Sequence, residues 1–343
     1  MTCRTYPPHN TFAITLIIAV VGSMFDASSV SAQKPRSTGK PIRPGLPEEL
    51  GIQVVVKQDN QTVYYAGGML QFGAVNGKAQ RVISLEQLDG SYSSNVRCSP
   101  DGAFFVVCGG DQANLYGFGD GRLLRNHQTK DWICSHSIQS NGRSIVYTTK
   151  STVELFSSAS TERGLLLSID CSRATISPDG MTLVCSTSNG TVQFIDTKSG
   201  ETTWRKPVFD RDPSKGLEGT SCIEFGGKGQ RLVICRKDGN VATIDVAKRE
   251  ILSVRSFADT VRCLSISPDE KMAAIGTFDN MIQLVDIDTL KPVAQSNDLG
   301  SLPSSISFFP NTKSLAVGLW NGKCVFLSKD DLKVVGSCFI TIP

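Results

Sequence analysis

From Gly51 onward, short apolar stretches and turn residues follow one another in a recurring order. Segments 174–204 (ATISPDGMTLVCSTSNGTVQFIDTKSGETTW) and 264–294 (LSISPDEKMAAIGTFDNMIQLVDIDTLKPVA) show it most clearly. Each has an apolar strand, a Pro-Asp turn, a second apolar strand and a turn carrying Asn or Asp. An alternating strand ending in Asp follows, then a polar turn and a fourth strand. The second apolar strand recurs as FFVVC, SIVYT, RLVIC and SLAVG. Runs this short, bounded by Pro-Asp-Gly or Asn-Gly, predict strands joined by tight hairpins.

The apolar residue closing each first strand sets the period. These residues are Val56, Cys98, Ile138, Ile176, Phe225, Ile266 and Phe308, spaced 38 to 49 apart. Seven positions after each stands the expected cross-strand partner: Val63, Phe105, Ile145, Leu183, Leu232, Ala273 and Leu315. Four strands in about 40 residues are the period of a propeller blade; helical solenoids need apolar spacing of helical period. Residues 51–343 hold seven such units. The expected fold is therefore all-β, a seven-bladed β-propeller of four-stranded antiparallel blades. Residues 332–339 (LKVVGSCF) can supply the last fourth strand, so the final blade is expected to form wholly from the C-terminus.

The units resemble WD40 repeats in the broad, WD40/YVTN-like sense, over essentially all of 51–343. The family's terminal Trp-Asp is represented by Ile195-Asp196, Ile244-Asp245 and Val285-Asp286. Its Gly-His dipeptide is absent, since the histidines after residue 32 are His127 and His136. The resemblance implies a ring that presents a partner-binding face, without the histidine network that the family builds and without assigning a subfamily.

Ahead of the repeats, residues 1–32 read as a signal peptide. Arg4 precedes an apolar run at 12–22 (FAITLIIAVVG), and Val30-Ser31-Ala32 offers small residues for cleavage. That run is too short to cross a bilayer as a helix, which takes about 20 residues. Residues 33–50 (QKPRSTGKPIRPGLPEEL) form a Pro-rich linker that cannot join a ladder. The expected setting is secreted or periplasmic, in the cell envelope, with no transmembrane segment after cleavage.

The 35 basic and 32 acidic residues are dispersed and give a formal net charge of +3. Nothing in that pattern points to nucleic acid, and a monomer is expected. No HExxH, GxSxG, P-loop or intact dinucleotide fingerprint occurs, so neither a cofactor nor a metal is expected. The glycines of GFGDGR (117–122) suit a hairpin turn, and His136 falls within an inner strand as a core or pore-lining residue. Residues 195–204 resemble the tryptophan-docking motif of quinoprotein (PQQ) propellers, in one blade only. A quinoprotein-like or hydrolytic propeller enzyme is the catalytic alternative. The insertion from Lys206 to Thr220 contains Asp210-x-Asp212-x-Ser214-x-Gly216, which resembles the opening of a calcium loop. Lys215 and Ser221 stand where such a loop wants glycine and glutamate, so a solvated loop is expected.

Of the 11 cysteines, ten follow Cys3, almost all at apolar strand positions. Free cysteine there behaves as a small hydrophobe. The hairpin register faces Cys222 with Cys235, the one candidate disulfide.

The turn between second and third strands places Thr149, Ser188, Lys237, Phe278 and Trp320 on the rim. Phe278 and Trp320 fall in adjacent units with Lys237 next along, and together these three are the candidate partner-binding residues. The expected function is a non-enzymatic extracytoplasmic scaffold that binds a protein. A carbohydrate- or cell-wall-binding module is the other alternative, because the same rings could stack on sugars.

Overall fold

The computed structural model describes residues 53–56, 61–66, 69–74, 81–84, 95–99, 103–118, 121–139, 144–149, 152–157, 163–209, 219–310 and 313–339. The expected signal peptide and linker and the Asp210–Gly216 segment lie outside the described residues. No described helix is long and apolar enough to cross a membrane.

The described strands form seven four-stranded sheets, each paired antiparallel in sequence order. They are numbered here as blades 1 (53–84), 2 (95–128), 3 (135–167), 4 (173–207), 5 (220–256), 6 (261–295) and 7 (303–339). Side chains are described for blades 2 to 7, and blade 1 by its backbone pairing alone. The first strand of each blade lies against the first strand of the next, and Gln53–Val56 touches the first strands of blades 2 and 7. The architecture is a β-propeller of four-stranded antiparallel blades. Blade 7 closes with Val334–Phe339 as its own fourth strand, as the C-terminal sequence leads one to expect.

Six of the seven expected hairpin pairs are observed: Cys98↔Phe105, Ile138↔Ile145, Ile176↔Leu183, Phe225↔Leu232, Ile266↔Ala273 and Phe308↔Leu315. The first is displaced by one residue, because Val56 faces Thr62 and Val63 faces Val55. Turn length accounts for the difference: the facing residues are six positions apart in blade 1 and seven in the others. Blades 4 and 6 use Ser-Pro-Asp, in which Ser177 Oγ and Ser267 Oγ donate to Asp179 and Asp269. The same hydroxyls accept the Thr182 and Met272 N–H groups at 2.9 and 3.0 Å. Blade 1 has Lys57-Gln58-Asp59-Asn60 at that place, and turn length fixes hairpin register.

The middle strands are buried on both faces, which is why they read as continuous apolar runs. Leu183, Val184 and Cys185 of blade 4 are inaccessible, as are Leu232, Val233, Ile234 and Cys235 of blade 5. Val184, Val192 and Phe194 of blade 4 pack against Ile223, Leu232, Ile234 and Ile244 of blade 5. Each such side chain contributes about 1.5–3 kcal/mol relative to an exposed one. Fourth strands lie at the more exposed periphery, and that of blade 2, Leu123–Gln128, alternates in and out.

The first strands carry polar residues one position before their apolar end: Arg97, Ser137, Thr175, Glu224, Ser265 and Ser307. An inner strand has an unpaired edge, whose N–H groups need acceptors. Neighbouring blades supply them. Ser137 Oγ accepts the Ile176 N–H at 3.4 Å and meets Thr175 Oγ1 at 3.1 Å, and Glu224 Oε1 accepts the Ile266 N–H at 3.3 Å.

Candidate functional site

Strand order decides which residues share a face. In every blade the second–third turn and the link to the next blade lie at one end, where each first strand begins. Phe278, Trp320 and Lys237 occupy such turns, after Met272–Thr277, Ser314–Leu319 and Arg231–Arg236. All three candidates therefore stand on the link face.

Each turn is pinned to the link of its own blade. The Phe278 N–H donates to the Thr260 carbonyl at 3.1 Å, that of Trp320 to Leu302 at 3.0 Å, and that of Lys237 to Gly219 at 3.3 Å. Thr260 directly precedes the first strand of blade 6, which brings Phe278 beside Arg262. The Arg262 guanidinium lies 4.8 Å from the Phe278 ring centroid and 4.5 Å from that of Trp320 on blade 7. Arg262 thus makes cation–π contacts with two aromatic rings from adjacent blades, each worth about 0.5–2 kcal/mol. Phe278 stays 41% exposed and Trp320 is partly exposed. Lys237 is exposed and makes no contact with either ring among the described residues.

The geometry adds residues that sequence reasoning passed over. Arg262 occupies a bulge near the start of its strand, where pairing slips between Val261 and Cys263. Burial lowers its pKa from the ordinary arginine value, yet a guanidinium stays charged. Arg173 opens the first strand of blade 4, and burial lowers its pKa as well. It donates to the Cys134 carbonyl of the blade 2–3 link and to the Ser221 carbonyl of blade 5, the latter at 3.4 Å. The next residue, Cys222, donates its thiol to the Arg262 carbonyl at 3.3 Å. These contacts join the mouth of the channel across blades 4, 5, 6 and 7. Trp132, in the link before Ser135–Ile138, is 65% exposed on the same face. Recognising that links and second–third turns share one face would have found it.

Other candidates resolve as follows. Cys222 and Cys235 stand directly opposite, as the register requires, but both are buried free thiols. The candidate disulfide is not formed, since Cys222 Sγ turns to the Arg262 carbonyl of the next blade. His136 sits buried in the inner strand of blade 3. Gly117 and Gly121 close a hairpin through an N–H···O bond of 2.9 Å. Trp204 packs tilted against Phe194, with centroids 4.8 Å apart, on the cluster shared by blades 4 and 5. The fourth strand of blade 4 runs to Pro207, so the insertion begins at 208, and 210–218 lie outside the described residues.

With this geometry in place, similarity to known proteins becomes informative. The WD40 family (WD domain, G-beta repeat) matches residues 251–286, from the last strand of blade 5 through the third of blade 6. WD repeat-containing protein 90 of Xenopus tropicalis is 26% identical over 107 residues, 31% of this chain and only 6% of that protein's length. The Cps50 (Swd1) β-propeller domain of Myceliophteria thermophila superposes with a TM-score of 0.61 at 15% identity, over 72% of this chain and 86% of that one. The chain is a WD40-like β-propeller. A chain of Kuenenia stuttgartiensis hydrazine synthase also superposes on this WD40-like propeller, with a TM-score of 0.64 at 14% identity over 87% and 99% of the two chains. The fold alone therefore does not separate binding from catalysis, and function has to be argued from the site.

Proposed function

We propose that this WD40-like propeller is a seven-bladed, exported, non-enzymatic scaffold that binds a protein partner on its link face. The observation that carries the reading is the Phe278–Arg262–Trp320 cluster. Trp and Arg are the residue types that dominate measured binding energies when centred in an interface. A polar turn residue would be cheaper to expose than Phe278 or Trp132, and both stand at the same end of the ring. Lys237 adds a cation on the neighbouring turn. The sugar-binding alternative has less support, because Arg262 fills the space between the two rings. Export rests on the leader-like composition of residues 1–32.

The test is affinity capture with the native protein and a Phe278→Ala/Trp320→Ala variant of matched melting temperature. A partner held by the parent and lost by the variant supports the reading. Equal retention would move the site elsewhere on the ring, and no retained protein in either arm would overturn the scaffold.

A further inference from the structure

Resting on the scaffold reading, we propose that the partner presents an acidic segment, whose Asp or Glu carboxylate docks edge-on against Arg262 at the mouth of the channel. The Arg262 guanidinium lies over both aromatic rings, 4.8 and 4.5 Å from their centroids. A cation–π contact supplies the guanidinium with no hydrogen-bond acceptor, and its fork of N–H donors matches a carboxylate bidentately. Among the described residues no oxygen accepts a hydrogen bond from the Arg262 side chain, and no carboxylate pairs with it. A half-buried cation with five donors and no acceptor is an incomplete site.

The surroundings point to the same charge. Arg173 is also partly buried without a carboxylate partner among the described residues; it is held by carbonyl oxygens, including those of Cys134 and Ser221. The nearby turn aspartates are committed locally. Asp238 pairs with Arg236 at 2.9 Å and accepts the Asn240 N–H at 3.1 Å. Asp279 accepts the Thr277 hydroxyl and the Met281 N–H. Exposed Lys237 extends the positive side of the mouth towards blade 5. Trp132 offers an apolar contact to residues that flank the acidic one.

The probe is a fluorescein-labelled twelve-residue peptide of alternating Glu and Gly, titrated by anisotropy into the full-length protein. A Lys–Gly peptide and a labelled oligo(dT) serve as controls. The proposal expects binding of the Glu peptide that weakens with salt, at least tenfold weaker binding by Arg262→Gln, and no binding of the Lys peptide. Arg262→Lys keeps the charge but not the fork, so it is expected to fall between parent and Arg262→Gln. It also serves as the reference if the glutamine variant melts early. Equal binding by parent and Arg262→Gln, no binding by the parent, or oligo(dT) bound as tightly as the Glu peptide would each overturn the proposal. The scaffold reading fails separately, through the capture experiment. A partner that is retained there and binds independently of Arg262 sinks the acidic-segment inference alone.

Discussion

Arg97 Nη1 and Glu224 Oε2 stand 3.6 Å apart, joining the inner strands of blades 2 and 5. Those blades are not neighbours in the ring, so the ion pair crosses the channel. Its two ends sit in different surroundings. The Arg97 side chain is 47% exposed and that of Glu224 only 25%. Burial raises the Glu224 carboxyl pKa above the usual value of 4.5, against the lowering pull of Arg97. A group whose folded pKa is raised holds its proton longer when folded, so its contribution to stability falls as pH rises from 4.5 through the folded value. Removing Arg97 leaves the carboxylate without its cation, whereas removing Glu224 leaves a guanidinium that water can reach. Arg97→Ala is expected to cost about 1–2 kcal/mol at pH 7, after discounting for its exposure, and Glu224→Gln less than about 1 kcal/mol. Urea denaturation of both variants checks the order; a larger loss for Glu224→Gln would contradict it.

His136 sets a second pH window. Burial, aided by the Arg97 and Arg173 charges, lowers its pKa from 6.5 to about 3. The unfolded chain therefore binds a proton between those values that the folded chain refuses. Stability contributed by the neutral imidazole is complete above pH 6.5 and drains away as pH falls towards 3, at up to about 1.4 kcal/mol per pH unit. Asp269 and Asp286, whose pKa values are lowered below 3.8, act only further down. Melting curves between pH 4.5 and 7 are expected to show a decline for the parent that His136→Asn flattens. Parallel curves for the two proteins would count against this role.

Two glycines with the same backbone sign separate conformational strain from crowding. Gly239 has φ +86° in the second–third turn of blade 5, and an added Cβ would meet the Phe257 and Asp259 carbonyl oxygens at 2.7 and 2.9 Å. Gly300 has φ +76° with open space around it. Gly300→Ala is expected to cost about 1 kcal/mol, from the left-handed conformation alone. Gly239→Ala adds a clash with backbone that cannot rotate away, for a total of about 2–4 kcal/mol. Thermal unfolding of the pair measures the difference directly.

Thiol accessibility gives a third kind of test. Cys108, Cys171, Cys185, Cys222, Cys235, Cys263 and Cys324 are buried thiols, while Cys134 is partly exposed. Burial raises the pKa of Cys108, Cys222, Cys235 and Cys263, which removes the reactive thiolate. Among these eight, brief iodoacetamide treatment of native protein is expected to label Cys134 alone, and all of them in urea. Native labelling of Cys222 or Cys235, read by peptide mass spectrometry, would contradict the packing.

The blade period was legible because each strand must bury apolar residues at fixed offsets, and turn residues mark the boundaries. The one misplaced pair, Val56 with Val63, came from carrying the seven-residue offset onto a hairpin whose facing pair, Val56 and Thr62, is six apart. Phe278 and Trp320 could be picked out as neighbours because turn positions align across blades. Arg262, which actually joins them, could not. It sits in a bulge that shifts its side chain out of the strand alternation, and a bulge leaves no mark in the apolar pattern. Cys222 and Cys235 show the opposite limit: register put them face to face, but the competing acceptor on blade 6 belongs to tertiary packing.

Closure of blade 7 from the C-terminus alone has a mechanical consequence. Six blade boundaries are crossed by continuous chain. The seventh, between Gln53–Val56 and blade 7, has among the described residues neither a covalent link nor a shared ladder, each flanking sheet having its own four strands. Among the described residues it is a seam without a clasp, where the first strands of blades 1 and 7 lie against each other. Opening there breaks no backbone hydrogen bond of either sheet and frees both ends of the ribbon, so unzipping starts at this joint. Amides of blades 1 and 7 should accordingly exchange with solvent ahead of those in blades 4 and 5, which have intact neighbours on both sides.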